Sequence, residues 1–261
     1  MTDFVEVHAF ACDIARRAGE LQLSRAENVG EIVEKAPKDV VTEVDLLCEK
    51  LMVDAITERF PGDAILSEEQ GGEVSETGRT WLLDPVDGTA NYTKANPMYC
   101  ACVAVVEDGR VTSAAVAAPR IGDLYHARLG GGAFRETGGK SFPLRVSETD
   151  SLEYAVVGAD LSLRSSKPQD PGLQKVLFDS WQLRALGSAG IRGAWLAAGY
   201  LDVSVGTRNT AWDYAPTVVL VTEAGGKATD LDGSPWTLDS KGLIATNGAV
   251  HDEVLEALNG G

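Results

Sequence analysis

The chain has 261 residues, 44% of them hydrophobic and 24% charged, with a formal net charge of −16. That length can bury a substantial core, in one large domain or two small ones, and that charge disfavours nucleic acid and anionic membranes, which need a basic surface. No apolar run approaches the ~20 residues that span a bilayer, no basic segment precedes an apolar one as in a signal peptide, and four scattered cysteines (Cys12, Cys48, Cys100, Cys102) read as reduced core thiols of a cytoplasmic protein.

Phe4, Val7, Phe10, Ile14, Ala18 and Leu21 recur at helical spacing and predict an amphipathic helix over residues 3–26. Val44, Leu47, Leu51, Ile56 and Phe60 predict a second over 43–60, stopped by Pro61-Gly62. Thr42-x-x-Asp45 opens it as a near capping box, with Asp in place of the usual Glu or Gln. Short strands follow at 64–67, 79–83, 98–107, 110–119 and 123–127, and Asp108-Gly109 marks a hairpin turn. Gly130, Gly131 and Gly132 lack the spacing of a nucleotide loop and lie between strands. Residues 141–155 read as the passage between an N-terminal half (1–145) and a C-terminal half (146–261). Beyond it, strand-like runs at 155–158, 201–205 and 243–245 alternate with helical ones at 171–181, 189–198, 213–224 and 249–258. Meandering strands followed by strand–helix alternation predict an α+β or α/β chain of stacked layers.

Three acidic sites punctuate this pattern. The run Trp81-Leu82-Leu83 ends in Asp84-Pro85-Val86-Asp87-Gly88-Thr89, where Pro85 and Gly88 break the strand. Clustered carboxylate oxygens are what hard divalent cations require. The Gly88 and Thr89 amides open what reads as a helix, and a helix start attracts phosphate. Ile65-Leu66-Ser67 likewise ends in Glu68-Glu69, and Trp212-Asp213 places an acid at the mouth of a late helix. Cation ligands beside an anion cradle point to metal-assisted phosphate chemistry.

Glu68-Glu69 after a short strand, the D-P-x-D-G-T-x-N run from Asp84 to Asn91, and Trp212-Asp213 before a helix ending Glu223-Ala224-Gly225-Gly226 together resemble the inositol monophosphatase family. That family belongs to the magnesium-dependent, lithium-sensitive phosphatases. The resemblance extends from Lys35 to Asn247 and implies an alternating α-β-α-β-α sandwich of the sugar-phosphatase type. It implies two or three Mg2+ ions. Glu68, Asp84 and the Val86 carbonyl would hold the first; Asp84 would bridge to a second, completed by Asp87 and Asp213; Glu68 would help hold a weaker third. Thr89 and Asp45 would orient and deprotonate the attacking water, with Glu68 counted among the catalytic residues. Gly88, Thr89 and Asp87 would face the phosphate, and Lys35 matches a lysine near the site. Gly187 and Ser188 fall in a stretch that lines the alcohol side. The N-terminal half would supply most ligands and the C-terminal half Asp213 and the substrate side. The resemblance also implies a homodimer acting on a small-molecule phosphate ester.

One departure bears on substrate. Inositol-type members carry a glutamate seven residues before the W-D aspartate, and here that position is Gly206. Arg208, Arg192 and Lys94 are candidate contacts for a further anionic or polar substrate group. His8, His126 and His251 lie in no motif, so no histidine ligand is expected, and neither is zinc at Cys100-x-Cys102. No Ser or Cys has a His–acid partner pattern, so water is the expected nucleophile. Inositol, histidinol, sugar and nucleoside phosphates stay open as substrates. A nucleotide-directed phosphatase and a catalytically silent binding protein are the alternatives. The intact set of acids speaks against silence.

Overall fold

The structure, a computed structural model, describes residues 4–36, 39–159, 171–207 and 210–260, the side chain of residue 39 excepted. Helix α1 (Phe4–Arg25) leads to a hairpin of β1 (Ile32–Ala36) and β2 (Asp39–Thr42), then to α2 (Glu43–Arg59). Strands β3 (Ala64–Ser67), β4 (Gly71–Gly72) and β5 (Arg79–Asp87) precede a one-turn helix, α3 (Thr89–Tyr92). A meander follows: β6 (Cys100–Glu107), β7 (Arg110–Ala118), β8 (Asp123–Arg128), β9 (Gly132–Thr137) and β10 (Lys140–Pro143). Then come β11 (Val156–Ala159), α4 (Pro171–Asp179), β12 (Gln182–Arg184), α5 (Ala189–Ala197), β13 (Val203–Gly206), α6 (Ala211–Glu223), β14 (Lys227–Thr229), β15 (Leu243–Thr246) and α7 (His251–Asn259). None of the described helices is long and apolar enough to cross a membrane.

The two-residue period of β6 shows how the layers form. Ala101, Val103 and Val105 pack beneath α1 and α2 with Val7, Ile14, Val44 and Met52. Cys100, Cys102, Ala104 and Val106 face the other way, onto Ile191 and Ala194 of α5 and Ala215 and Leu220 of α6. Both faces of the strand are buried, which explains its nearly continuous apolar run. This large sheet has eight strands in the order β10-β9-β8-β7-β6-β5-β3-β4, with β3 and β5 its one parallel pair.

A second sheet, β12-β11-β13-β15-β14, lies beyond α5 and α6. Leu243 and Ala245 of β15 join the cluster around those two helices, while Val157, Val203, Val205 and Ile244 pack against Val176 of α4 and Val254 of α7. The order is therefore helices, sheet, helices, sheet, helices, the layered sandwich expected. The pair α5–α6 fills the space between the sheets, so the N- and C-terminal halves share one apolar cluster.

Strand β5 departs from expectation where it matters most. It does not stop at Leu83 but continues to Asp87. Asp84 pairs with Cys102 and Asp87 with Cys100, so three steps on β5 match two on β6: a β-bulge at Pro85-Val86. In an unbulged strand, residues three apart point to opposite faces. The extra residue turns Asp87 back to the face that Asp84 occupies, while Val86 packs on the α1–α2 side.

Candidate active site

The bulge and the β3–β5 pairing gather the first acids. Ser67 sits opposite Leu83 in the parallel register, and the Glu68 N–H donates to the Leu83 carbonyl at 3.1 Å. Glu68 thus emerges beside Asp84 at one end of the sheet. Asp84 is buried, and its Oδ1 accepts from the Val86 N–H at 3.1 Å, which fixes the carboxylate within the bulge. Gln22 of α1 donates to the Pro85 carbonyl at 2.7 Å and braces the bulge from the opposite face.

Asp87 is held by the start of α5. Its Oδ1 accepts from the Ala189 N–H at 3.0 Å, and its Oδ2 from the Gly190 N–H at 2.7 Å and from the Ser188 hydroxyl. Free N–H groups at a helix start suit a carboxylate. Gly190 is required there, since a Cβ would stand 2.4 Å from Cys102 Sγ and 3.1 Å from Asp87 Oδ2. Asp213 lies in the first turn of α6, where the Thr210 hydroxyl donates to its Oδ2 at 2.6 Å. Carboxylate oxygens of Asp84, Asp87 and Asp213 lie within 4.8 Å of one another. Four acids, from the turn after β3, from β5 and from α6, thus converge on one pocket of charge.

A second unit lies alongside. The Thr89 hydroxyl is 3.1 Å from Asp45 Oδ1 and 2.9 Å from the Val86 carbonyl. Asp45 is buried at the start of α2. Its Oδ2 accepts from the Thr42 N–H at 3.0 Å and from the Thr42 hydroxyl, completing the capping box. One carboxyl oxygen caps the helix and the other faces Thr89. Gly88 permits this turn. Its φ is +89°, and a Cβ there would lie 2.8 Å from the Met98 carbonyl oxygen. Helix α3 spans four residues, so its opening amides act as local donors, with little macrodipole behind them.

Asp84, Glu68 and Asp213 are raised far from the ordinary carboxylate range. Burial pushes the Asp84 carboxyl well up, and Glu68, Asp87 and Asp213 push it further. Glu68 rises to about 7, chiefly by burial, although Lys35 opposes the rise. Asp213 rises to about 6, through burial and then the Asp87 charge. Lys35 Nζ bonds Glu69 at 2.7 Å and Glu68 at 3.3 Å. One lysine cannot balance this much negative charge. Carboxylates and one carbonyl form an all-oxygen donor set, which fits a hard divalent cation such as Mg2+.

The model of the inositol monophosphatase family matches residues 3–260. This chain belongs to the inositol monophosphatase family. It is 34% identical over 253 residues to the fructose-1,6-bisphosphatase/inositol-1-monophosphatase of Thermotoga maritima, covering 96% of this chain and 94% of that one. It is 34% identical over 256 residues to the histidinol-phosphatase of Mycobacterium tuberculosis, covering 96% and 97% of the two chains. The Thermotoga maritima IMPase structure superposes with a TM-score of 0.86 at 33% identity over 97% of this chain and 96% of that one. A Bartonella henselae suhB structure gives 0.89 at 25% identity over 99% of both.

Several of the residues expected to contact substrate in this family member are engaged by other groups of the protein. Ser188 is only 2% exposed, and its hydroxyl serves Asp87 and the Ile191 N–H, so it helps orient the Asp87 carboxylate. Arg192 is 3% exposed and donates to the Ser204 hydroxyl at 2.8 Å, and its charge is felt at Asp213. Gly187 is exposed beside α3, where a Cβ would stand 2.9 Å from Asn91 Nδ2. Lys35 meets the Glu68–Glu69 pair. Gly206 closes β13, and a Cβ there would lie 2.3 Å from the Tyr214 hydroxyl. Arg208 lies outside the described residues.

Two positioning residues escaped the sequence reading. Buried Glu49 accepts from the Ser67 hydroxyl and, at 2.9 Å, from the Gln70 N–H, clasping the turn that carries Glu68. Its signal was its place one helical turn after Asp45 on the same face. Asn91 donates to the Met98 carbonyl at 2.6 Å and to the Leu186 carbonyl at 2.8 Å, tying the α3 turn to the loop before α5. It closes the Asp84–Asn91 motif, but its partner lies 95 positions away.

Proposed function

We propose that this chain is a Mg2+-dependent phosphatase that hydrolyses a small phosphate monoester by attack of water. The observation that carries the reading is the convergence of Asp84, Asp87 and Asp213 within 4.8 Å, beside the Thr89–Asp45 pair. Glu68, Asp84, Asp87, Asp213 and the Val86 carbonyl would hold two or three ions. Bound Mg2+ would polarise the phosphoryl group and lower the pKa of coordinated water. The rest is the work of the chain. The Gly88 and Thr89 amides receive phosphoryl oxygens. The Thr89 hydroxyl orients the attacking water, and Asp45 takes its proton. Burial raises the Asp45 carboxyl to about 6, close enough to neutral for a general base. The water oxygen bonds to phosphorus, the bond to the ester oxygen breaks, and the alkoxide departs in line and takes a proton from solvent.

Gly206 supports a preference away from inositol. It offers no acid to a polyol, and the space above it is filled by Tyr214. We infer that myo-inositol 1-phosphate is a poorer substrate than one with an amine, anionic or nucleoside portion. Exposed Tyr154, Phe178 and Trp181 supply apolar surface for a homodimer, which light scattering would detect. A phosphate-release screen tests the function. Inositol 1-phosphate, histidinol phosphate, fructose 1,6-bisphosphate and nucleoside phosphates are compared with Mg2+, with and without Li+. Magnesium-dependent, lithium-sensitive release is expected. No release from any of them overturns the phosphatase reading, and inositol 1-phosphate as best substrate overturns the preference.

A further inference from the structure

A second cluster of metal-ligating side chains lies on the other face of the large sheet, built from residues that take no part in the chemistry above. His8 and Cys12 stand one turn apart on the inner side of α1, and His126 projects toward them from β8. His8 Nε2 lies 3.0 Å from His126 Nδ1, and Cys12 Sγ lies 3.8 Å from His8 Nε2. All three ligand atoms fall within 4.8 Å of one another.

We propose that His8, Cys12 and His126 form a zinc-binding site that ties α1 to the large sheet. The edge lengths support it. Zinc bonds of about 2.0–2.1 Å to nitrogen and 2.3 Å to sulfur, at tetrahedral angles, put two ligand nitrogens about 3.3 Å apart and a nitrogen and a sulfur about 3.6 Å apart. Both observed edges lie within a few tenths of an ångström of those values. Two imidazoles and a thiolate also suit zinc better than Mg2+, which prefers oxygen. Three protein ligands leave one tetrahedral position for water.

The surroundings of each ring match what metal-ligating histidines need. His8 turns Nδ1 to the Ser113 hydroxyl at 2.7 Å. His126 turns Nε2 toward Glu136, 3.2 Å from its Oε1. The outward nitrogen of His8 thus has a hydroxyl partner, that of His126 stands beside a carboxylate without hydrogen-bonding it, and the two inward nitrogens face the common point. Carboxylate and hydroxyl partners of this kind fix the tautomer of a ligating imidazole. Without an ion, the two rings share one proton between their facing nitrogens. With zinc, His8 carries its proton on Nδ1 instead and donates to Ser113, so both facing lone pairs are free. Only the Cys12 thiol then gives up a proton to solvent. Burial, then the neighbouring His126 and Arg128 charges, lowers the His8 pKa to about 4, so the ring is already neutral. Glu136 and the Cys12 thiolate offset the dication, while Arg16 pairs with Glu136.

The site would act through α1. Gln22, which braces the Pro85 carbonyl, lies ten residues beyond Cys12 on the same helix, about 15 Å along its axis. Zinc is thus expected to stabilise the fold without entering the reaction.

Cobalt(II) is the probe, added to the full-length protein in excess Mg2+ so that the carboxylate cluster is filled. One equivalent should give a sulfur-to-cobalt charge-transfer band and the intense visible bands of a tetrahedral ion, and zinc should displace both. Cys12→Ser should abolish the charge-transfer band, and His126→Gln the tetrahedral bands. Glu136→Gln should weaken zinc by roughly 10–100-fold, as loss of an outer partner does. Phosphate release should be unchanged in all three. Absence of the charge-transfer band in the wild-type protein overturns the proposal, whether or not Cys12→Ser folds. A band that survives in folded Cys12→Ser places the sulfur at Cys100 or Cys102 and overturns it too.

Discussion

Asp45→Asn should make the metal-free protein more stable at pH 8 while removing most of its activity. Asp45 Oδ2 caps α2 and Oδ1 faces Thr89. An asparagine can keep the cap with its carbonyl oxygen, accepting from the Thr42 N–H. Its NH2 then donates to the Thr89 hydroxyl, which passes its own proton to the Val86 carbonyl. The carbonyl oxygen and one N–H are thereby paired, but no base remains. Burial, the largest cause, raises the Asp45 carboxyl from 3.8 to about 6 in the folded chain. A raised carboxylate contributes stability that is present below the unfolded pKa and is lost as pH rises through the folded one. Each unit corresponds to about 1.4 kcal/mol, so ionising Asp45 at pH 8 costs the fold roughly 3 kcal/mol at most. The neutral asparagine avoids that cost. At roughly 2–4 °C per kcal/mol for a chain of this size, the melting temperature should rise by several degrees at pH 8. The gain should fade to nothing near pH 4. Losing a general base should lower kcat by about 10²–10⁴-fold. Thermal melts in EDTA at both pH values, with phosphate-release kinetics in Mg2+, check both halves. A variant that melts lower than wild type at pH 8, or turns over normally, would refute the assignment of Asp45 as a buried, ionisable base.

Asp84→Asn should abolish turnover with the fold intact, because it removes the carboxylate proposed to bridge two ions; near-normal turnover at saturating Mg2+ refutes the bridge. Thr89→Ala should lower kcat far more than the affinity for Mg2+, measured by calorimetry, since the hydroxyl serves water; equal losses in both would make Thr89 part of the ion site. Burial and mutual charge raise Glu68 to about 7 and Asp213 to about 6. Metal-free stability should therefore fall as pH rises through 6 to 7, and Mg2+, which binds only the ionised acids, should raise the melting temperature more at pH 8 than at pH 5.5. An equal or larger shift at pH 5.5 would mean that these acids do not hold the ion.

How far the site was legible in the sequence depends on whether a residue's role is set by its neighbours in the chain. Glu68, Asp84, Asp87 and Asp213 each end an apolar run or open a helix, so their exposure to one cleft could be read locally. The layered order could be read too, because β6 and α6 are apolar enough to demand burial on both sides. The β1–β2 hairpin could not. Ile32–Ala36 is exposed along its length, with no alternation to mark a strand. Strands β9 and β10 at the edge of the large sheet were missed for a similar reason, their sequences being largely polar.

Ser188, Arg192 and Gly206 show what local reading leaves out at the site itself. Ser188 and Gly206 were placed by the resemblance and Arg192 by its charge, and all three are held by contacts distant in sequence or across a layer. Ser188 binds Asp87, 101 positions distant, because α5 begins against the bulge in β5. Arg192 lies between layers, its stem so near Gly158 that a Cβ there would be 2.7 Å from Cγ. The same bulge makes the D-x-x-D spacing work at all. In a regular strand Asp84 and Asp87 would straddle the sheet, one toward α1 and one toward α5. The inserted residue at Pro85-Val86 brings both to one side, and the α5 amides then fix Asp87 there. Proline suits this place because a bulge leaves one residue out of the ladder, where a missing N–H costs little. The motif is thus less a list of ligands than the shortest sequence that bends a buried strand back onto its own face.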